Sequence, residues 1–212
     1  MSFVQFVQFV AVPSNFLSNG IFEQECQNYM EKTDTELMQA IRNGDRQAFE
    51  ALVIRYQNPI FSFIRKYMGG ERQQAEDLTQ EVFLRVYRAA SCFEVRSDSS
   101  VSAWIFTIAY NLSMNEARRR RRQRDFTKEL CEEHRFSACE SANPENTYHL
   151  KNVIFSALKE LPEKQRAALI LRVTEGLSYT EIAEVLHISV PGVESLIYRA
   201  RKTLREKFPQ KE

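Results

Sequence analysis

Apolar residues recur every three or four positions along most of the chain, which predicts α-helices rather than β-strands. The first run follows Thr33, which has the spacing of a capping box with Glu36, and it stops at Gly44. Asp45 is placed to cap a second and longer helix. That helix contains Pro59, where we expect a kink.

Two further helices are predicted before residue 123. The third covers about residues 73–90, and its apolar stripe consists of Ala75, Leu78, Val82, Phe83, Val86 and Tyr87. A polar loop at 94–100 separates it from the fourth. The fourth helix starts near Val101 and is expected to finish in the five consecutive arginines of 118–122.

The helical pattern stops between residues 123 and 147 and then resumes. That interval contains six acidic and three basic residues together with Pro144, a composition typical of a linker. After it come two helices divided by Pro162. The first has Val153, Ile154 and Leu158 among its inward positions, and the second is mostly apolar.

These patterns predict an all-α fold in which two small helical domains, 34–122 and 148–208, are joined by a flexible linker at 123–147. Residues 1–33 are expected to form a poorly ordered extension, with Met30 as an alternative start and a partner-binding arm as the other interpretation. Their apolar beginning lacks the positive charge of a signal peptide. It is also shorter than the roughly 20 residues that span a bilayer.

The segment 178–201 has the pattern of a helix-turn-helix. Ser178 is placed to cap a first helix, whose Ile182 and Leu186 face inward. A turn at 187–189 follows, and Ser189 is placed to cap a second helix with Pro191 in its first turn. The alternative is an ordinary antiparallel helix pair in a core.

A helix of this kind fits the major groove of DNA, with its first turns near base edges and its basic tail near phosphates. The residues expected to contact DNA from it are Ser189, Val190, Pro191, Gly192, Glu194, Ser195, Tyr198, Arg199 and Lys202.

The arginines of 118–122 suggest a second nucleic-acid contact. A run of arginines alone is typical of a solvated helix end. This run, however, ends a helix that also carries Trp104, Tyr110 and Asn111, and aromatic rings beside a cationic track suit stacking and phosphate contacts with unpaired strands. The alternative is that Trp104 and Tyr110 belong to the core.

Composition narrows the class of protein. With 43% hydrophobic and 27% charged residues the chain can bury a core, and its net charge of +1 excludes a polycationic nucleic-acid coat. The net charge is +3 over 34–122, −3 over 123–147 and +3 over 148–212. We therefore expect weak, salt-sensitive binding to free DNA. Four scattered cysteines indicate a reducing, cytoplasmic setting without a disulfide framework.

No enzyme chemistry is predicted. The three histidines lie in linker or turn contexts, and no nucleophile and base share a recognisable spacing. Cys131, His134 and Cys139 match no standard zinc knuckle, so we assign no metal and no cofactor. A stand-alone helix-turn-helix regulator is the alternative function, although residues 34–122 lack the motifs of an effector domain.

Three segments resemble, in order and spacing, the extracytoplasmic-function (ECF) group of bacterial RNA polymerase sigma factors. They are DLTQEVFLRVY at 77–87, SAWIFTIAYNLSMNEARR at 102–119 and ALKELPEKQRAALILRVTEGLSYTEIAEVL at 157–186. The resemblance covers about residues 34–207. It implies a specificity subunit that directs core RNA polymerase to promoters and helps to melt the start region.

The resemblance also implies roles for particular residues. Asn111 would bind the edge of an extruded base of the minus-ten element, Arg118 and Arg119 would contact phosphates, and the second domain would bind the minus-thirty-five element. The linker would run toward the RNA exit path, and an anti-sigma protein would be a regulatory partner, with no direct membrane insertion of this chain. Core polymerase would dock on the polar face of the third helix: Asp77, Gln80, Glu81, Leu84 and Arg85.

One departure from the family pattern concerns promoter choice. Many relatives have basic residues where this recognition helix has Glu194 and Leu196. A glutamate can accept a hydrogen bond from a cytosine amino group. The sequence therefore predicts an altered promoter preference.

Overall fold

The computed structural model describes residues 29, 31–90, 93, 100–130 and 146–207, and for 124–130 and 146–152 it describes the backbone alone. Every regular element within these ranges is a helix, which confirms the predicted all-α class. The helices are α1 Asp34–Arg42, α2 Arg46–Met68, α3 Arg72–Ala89, α4 Val101–Leu130, α5 Asn146–Lys159, α6 Glu163–Val173, α7 Tyr179–Leu186 and α8 Val190–Lys207.

The predicted caps of the first two helices are confirmed. The Thr33 hydroxyl accepts from the backbone N–H of Glu36 at 3.3 Å, and the Glu36 carboxylate accepts from the N–H of Thr33 at 2.7 Å. The Asp45 carboxylate accepts from Gln47 N–H at 3.0 Å. Helix α2 continues across Pro59 to Met68, so the proline does not end it. The caps therefore fix where both helices begin.

Helix α4 extends eight residues beyond the end expected at Arg122, because it continues to Leu130. The added segment includes Gln, Arg, Lys, Glu and Leu, which are strong helix formers, and the sequence has no glycine or proline there. Charge composition predicted a linker at this point, but local helix propensity extends the helix into it.

The amino-terminal group, α1–α4, packs around α2. Ile60 and Phe63 of α2 are fully buried, and the Phe63 ring meets Phe106 of α4 edge to face at 5.8 Å. On α3 the predicted stripe is buried at Ala75, Val82, Phe83 and Val86. Leu78 is half-buried and Tyr87 is 41% exposed, so the buried stripe is narrower than expected.

The carboxyl-terminal group, α5–α8, contains the predicted helix-turn-helix. Ile182 and Leu186 of α7 are buried against Val193 and Ile197 of α8 in a shared core with α6. On α5 the prediction is wrong for Ile154, which is 46% exposed, and for its neighbour Val153. Leu158 is buried as predicted, and Phe155, one position after Ile154, packs near Arg65 and Gly70 of the other group.

The two groups are in contact. Helix α7 lies against α4, and α2 touches both α5 and α6. The Arg166 guanidinium of α6 donates to the Tyr67 carbonyl at 2.8 Å and also to the carbonyls of Lys159 and Leu161 at 3.3 and 3.1 Å. Its plane lies 5.5 Å from the centre of the Tyr67 ring. We call this set of contacts the Arg166 clasp.

None of the helices within the described ranges combines the length and the apolar character that a membrane span requires. Residues 1–28 and 30 of the extension expected at 1–33 lie outside those ranges, as do residues 94–99 of the loop and the central part of the linker.

The cap of α7 yields a stability prediction. Ser178 Oγ accepts from Glu181 N–H at 3.2 Å, and the Ser178 N–H donates to the Glu181 carboxylate at 2.9 Å. Substitution Ser178→Ala removes the first bond and should lower the free energy of unfolding by about 1 kcal/mol, measured by urea denaturation. Ser156→Ala, at an exposed helical position, is the matched control and should change it little. Equal effects of the two substitutions would contradict the capping role.

Candidate nucleic-acid interface

The turn between α7 and α8 sets the direction of the second helix. His187 takes a left-handed conformation with φ of 50°, and the Ile188 N–H donates to the Ala183 carbonyl at 3.0 Å. Helix α8 begins directly after Ser189. The predicted turn at 187–189 is therefore confirmed, and it orients α8 across α7.

Helix α8 has one buried and one open face. Val193 and Ile197 are buried, whereas the Tyr198 ring is 69% exposed and Glu194 is exposed three residues after Pro191. Among the predicted contacts, Ser189, Pro191, Glu194, Tyr198, Arg199 and Lys202 are exposed, and Val190, Gly192 and Ser195 are half-buried.

The chemistry of this open face suits DNA. It combines a carboxylate, a phenol, a guanidinium and an ammonium group along one side of a helix. Among the described residues, the ion pair on this face is that of Lys202 with Glu206 at 3.9 Å, which is exposed and therefore weak. These cations remain available for phosphate oxygens.

The residues of α4 that are predicted to contact an unpaired DNA strand differ in burial. Asn111 is half-buried, and Trp104 is half-buried against Phe93, with ring centres 4.8 Å apart. Tyr110 is only 3% exposed and meets the Tyr67 ring edge to face at 5.9 Å. In this conformation Tyr110 is a packing residue and its ring is out of reach of DNA.

The surroundings of Tyr110 include the carboxyl-terminal group. Burial raises the pKa of the Tyr110 hydroxyl, and the nearby carboxylate of Glu163 raises it further, while Arg118 lowers it. Since Glu163 begins α6, the second group lies over this part of α4. Sequence patterns gave no signal of that contact.

The arginine run divides into paired and unpaired members. Arg119 makes two hydrogen bonds of 2.8 Å to Glu116, and Arg120 pairs with both Glu116 and Glu71. The bonds from Arg119 hold the pKa of Glu116 below its usual range. The pairs with Glu116 could have been found from the spacing of three and four residues. For the exposed side chains of Arg118, Arg121 and Arg122, no ion pair is recorded among the described residues.

A cleft of about 1040 Å³ lies between the two groups at this point. Glu163 is its one acidic lining residue among the described side chains. The cationic lining comes from both groups: Arg118, Arg121, Arg122, Lys164 and Arg166.

The predicted polymerase-docking residues share the surface of α3. Asp77 and Arg85 are exposed, while Gln80, Glu81 and Leu84 are half-buried. Arg85 Nε lies 2.8 Å from Glu81 Oε1, one turn away. The face therefore offers one apolar side chain bordered by carboxylates, an amide and a guanidinium.

Within the described residues no group of three or more His, Cys, Asp or Glu side chains is arranged to hold a metal ion. Cys131, His134 and Cys139 lie outside those residues, so the sequence-based assignment of no metal site is untested there.

Comparisons with known proteins cover both helical groups. Residues 52–123 match the Sigma-70 region 2 family, and residues 151–204 match the Sigma-70, region 4 family. The chain is 34% identical over 183 residues to the ECF RNA polymerase sigma-E factor of Escherichia coli strain K12, covering 82% of this chain and 94% of that protein. It is 35% identical over 184 residues to the RNA polymerase sigma-H factor of Pseudomonas aeruginosa, covering 82% and 93%.

Solved structures show the same fold. The structure of CnrH in complex with the cytosolic domain of CnrY matches with a TM-score of 0.65 at 24% identity, covering 82% of this chain and 96% of that chain. The sigma factor RpoE in complex with the anti-sigma factor NepR from Bartonella quintana matches with a TM-score of 0.59 at 24% identity, covering 76% and 98%.

The region 2 match accounts for α2–α4, which a stand-alone helix-turn-helix regulator would not explain. The match to sigma-E spans nearly the whole of that relative and includes both helical groups. This chain belongs to the ECF RNA polymerase sigma factors.

Proposed function

We propose that this ECF sigma factor docks on core RNA polymerase through α3 and reads promoter DNA through α4 and α8. The observation that carries the proposal is the open face of α8, where Glu194, Tyr198 and Arg199 are exposed beside a buried anchor. The boundaries proposed for the two domains are 34–122 and 148–208, with a linker at 123–147.

The geometry of α8 supports contact with the minus-thirty-five element. An α-helix fits the major groove, where each base pair presents a distinct set of donors and acceptors. Glu194 lies in the second turn of α8, near the end that a recognition helix turns toward base edges. Arg199 and Lys202 lie farther along, where a cation suits phosphates.

For the minus-ten element we propose contact through Trp104, Asn111 and Arg118 of α4. These residues are seven positions apart and therefore share a face of the helix. An amide offers both a donor and an acceptor to an extruded base, an aromatic ring offers a stacking surface, and a guanidinium suits a phosphate. Arg119 would join them only by exchanging Glu116 for DNA, and Tyr110 only after exposure of its ring.

The face of α3 supports a protein contact. Leu84 supplies an apolar centre, and the groups of Asp77 and Glu81 suit a basic partner surface. We further propose that an anti-sigma protein binds and regulates this chain, since the similar sigma factor RpoE was solved in complex with the anti-sigma factor NepR. We propose that this chain acts in the cytoplasm, and we assign the chain no covalent chemistry and no cofactor.

Run-off transcription tests the function. The full chain should allow purified core RNA polymerase to initiate at discrete sites on genomic DNA from the source bacterium, whereas core alone should not. Sequencing of transcript 5′ ends is the measurement. If the chain binds these sites equally well without polymerase and initiation does not change, the chain acts as a stand-alone regulator and the proposal fails.

Asn111→Ala tests the contact with the minus-ten element. Loss of the amide should weaken binding of the holoenzyme to a single-stranded minus-ten oligonucleotide about tenfold, since a specific polar base contact contributes about 1–3 kcal/mol. Fluorescence anisotropy is the measurement. Asn58→Ala, an exposed asparagine on α2, should change the affinity less than twofold. Equal affinities of the wild type and Asn111→Ala would refute the base contact.

Glu194→Lys tests promoter selection. The substitution should change the preference among promoters with varied minus-thirty-five elements about tenfold, because the carboxylate acceptor becomes a donor. Run-off transcription on a mixed promoter library measures this preference. Glu206→Lys makes the same charge change near the far end of α8 and should leave the preference as it is. A uniform change on all promoters would show that Glu194 affects affinity alone.

A further inference from the structure

The carboxyl-terminal group packs along α4, the helix that we assign to DNA. Helix α7 lies against α4, and the Glu181 carboxylate of α7 accepts a hydrogen bond from Ser100, which immediately precedes α4. At the other end, Arg118 faces Lys164 and Arg166 across the cleft. The second group therefore spans α4 from its first turn to the arginine run.

A polar contact joins the two groups beside their apolar packing. The Arg166 clasp joins α6 to the last turn of α2. Next to the clasp, the turn after α6 brings Glu175 against Ser62 and Lys66 of α2. Glu175 is thus a titratable residue at the contact between the two helical groups.

The environment of Glu175 does not suit a carboxylate anion. Its Oε1 atom is buried and has no hydrogen-bond partner among the described residues. Lys66 Nζ donates to Ser62 Oγ at 2.6 Å and makes no ion pair within 4.0 Å of Glu175 among the recorded contacts. Protonation removes the cost of holding an unpaired charge away from water.

We propose that docking of the second group on α2 and α4 is an autoinhibited state of the free sigma factor, and that loss of a proton from Glu175 opens it. In the closed state the Tyr110 ring is withheld from DNA, and Arg118 lines the cleft beside Lys164 and Arg166. The inhibitory consequence rests on the proposed DNA role of α4, whereas the proton-dependent closure does not.

The direction of the pH dependence follows from burial. Desolvation raises the pKa of Glu175 to about 7 in the closed state, although Lys66 and Ser62 lower it in part. Opening exposes the carboxyl group and returns its pKa toward the ordinary value of 4.5. The stabilisation of the closed state is therefore complete at low pH and is lost as the pH rises through about 7. Desolvation also lowers the pKa of Lys66, although Glu175 raises it in part.

Energy transfer between two dyes measures closure without DNA or polymerase. The dyes are attached at Gln73→Cys on α3 and Arg201→Cys on α8, both exposed positions. The ratio of closed to open molecules should fall between pH 6 and pH 8.5, by up to about tenfold. The four native cysteines are first replaced by serine: Cys26, Cys92, Cys131 and Cys139.

Two substitutions identify the group that titrates. Glu175→Gln should stay closed across this pH range, because it cannot ionise, whereas the exposed-site control Glu206→Gln should respond as the wild type does. Arg166→Ala should open the chain at every pH, with circular dichroism confirming that the helices persist. If Arg166→Ala unfolds the chain, Phe155→Ala is the alternative. This substitution leaves the clasp intact and should also open the chain.

Two results would overturn the proposal. One is an energy-transfer efficiency that does not change with pH in the wild type, and the other is a Glu175→Gln chain that titrates as the wild type does. Run-off transcription at limiting core polymerase then tests inhibition: Glu175→Gln should require several-fold more sigma factor at pH 8 and reach the same activity at saturation. If the chain closes but Glu175→Gln and the wild type need equal amounts of sigma factor, the inhibitory role is refuted and the closure still stands.

Discussion

The relative position of the two helical groups depends in part on a half-buried guanidinium. Arg166 donates to carbonyls at the end of α2 and at the turn after α5, where helix ends leave acceptors without partners inside the helix. Burial lowers the pKa of this guanidinium, although an arginine remains charged at any physiological pH. The partial negative charge of those helix ends compensates it. Because Arg166 lies on α6, which packs on α7, this contact helps to position α7 against α4.

Under the proposed function, that arrangement sets docking against DNA binding. Arg118 is assigned to promoter DNA, and in the docked arrangement it lines the cleft beside Lys164 and Arg166 of the second group. A partner that binds the open chain alone shifts the population toward it by its differential affinity. Core polymerase holding both domains apart would be such a partner. The near-neutral net charge fits this view, since the two cationic domains gain useful affinity only when a third body fixes them on the same DNA.

Local chemistry made most of the fold predictable from the sequence, because caps and periodicity depend on neighbouring residues. Thr33, Asp45 and Ser178 cap helices where their side chains indicate, and the inward residues of the helix-turn-helix are buried as expected. The sequence predictions that failed involve contacts between segments that are distant along the chain. Tyr110 is hidden because Tyr67 and α6 approach it, and Ile154 is exposed because α5 turns Phe155 toward α2. No single-chain pattern records which amphipathic face meets which partner.

The division of the arginine run has a consequence for the ions around the protein. Each arginine that neutralises a phosphate of single-stranded DNA releases condensed cations, and each such contact adds about −0.7 to the slope of log affinity against log salt concentration. Arg119 and Arg120 are already neutralised by Glu116 and Glu71. The run should therefore contribute a slope of about −2 rather than the −3.5 or so that five free arginines would give. In the proposed DNA complex, Glu116 would act as a counterion within the protein and make the binding of α4 to DNA less dependent on salt concentration.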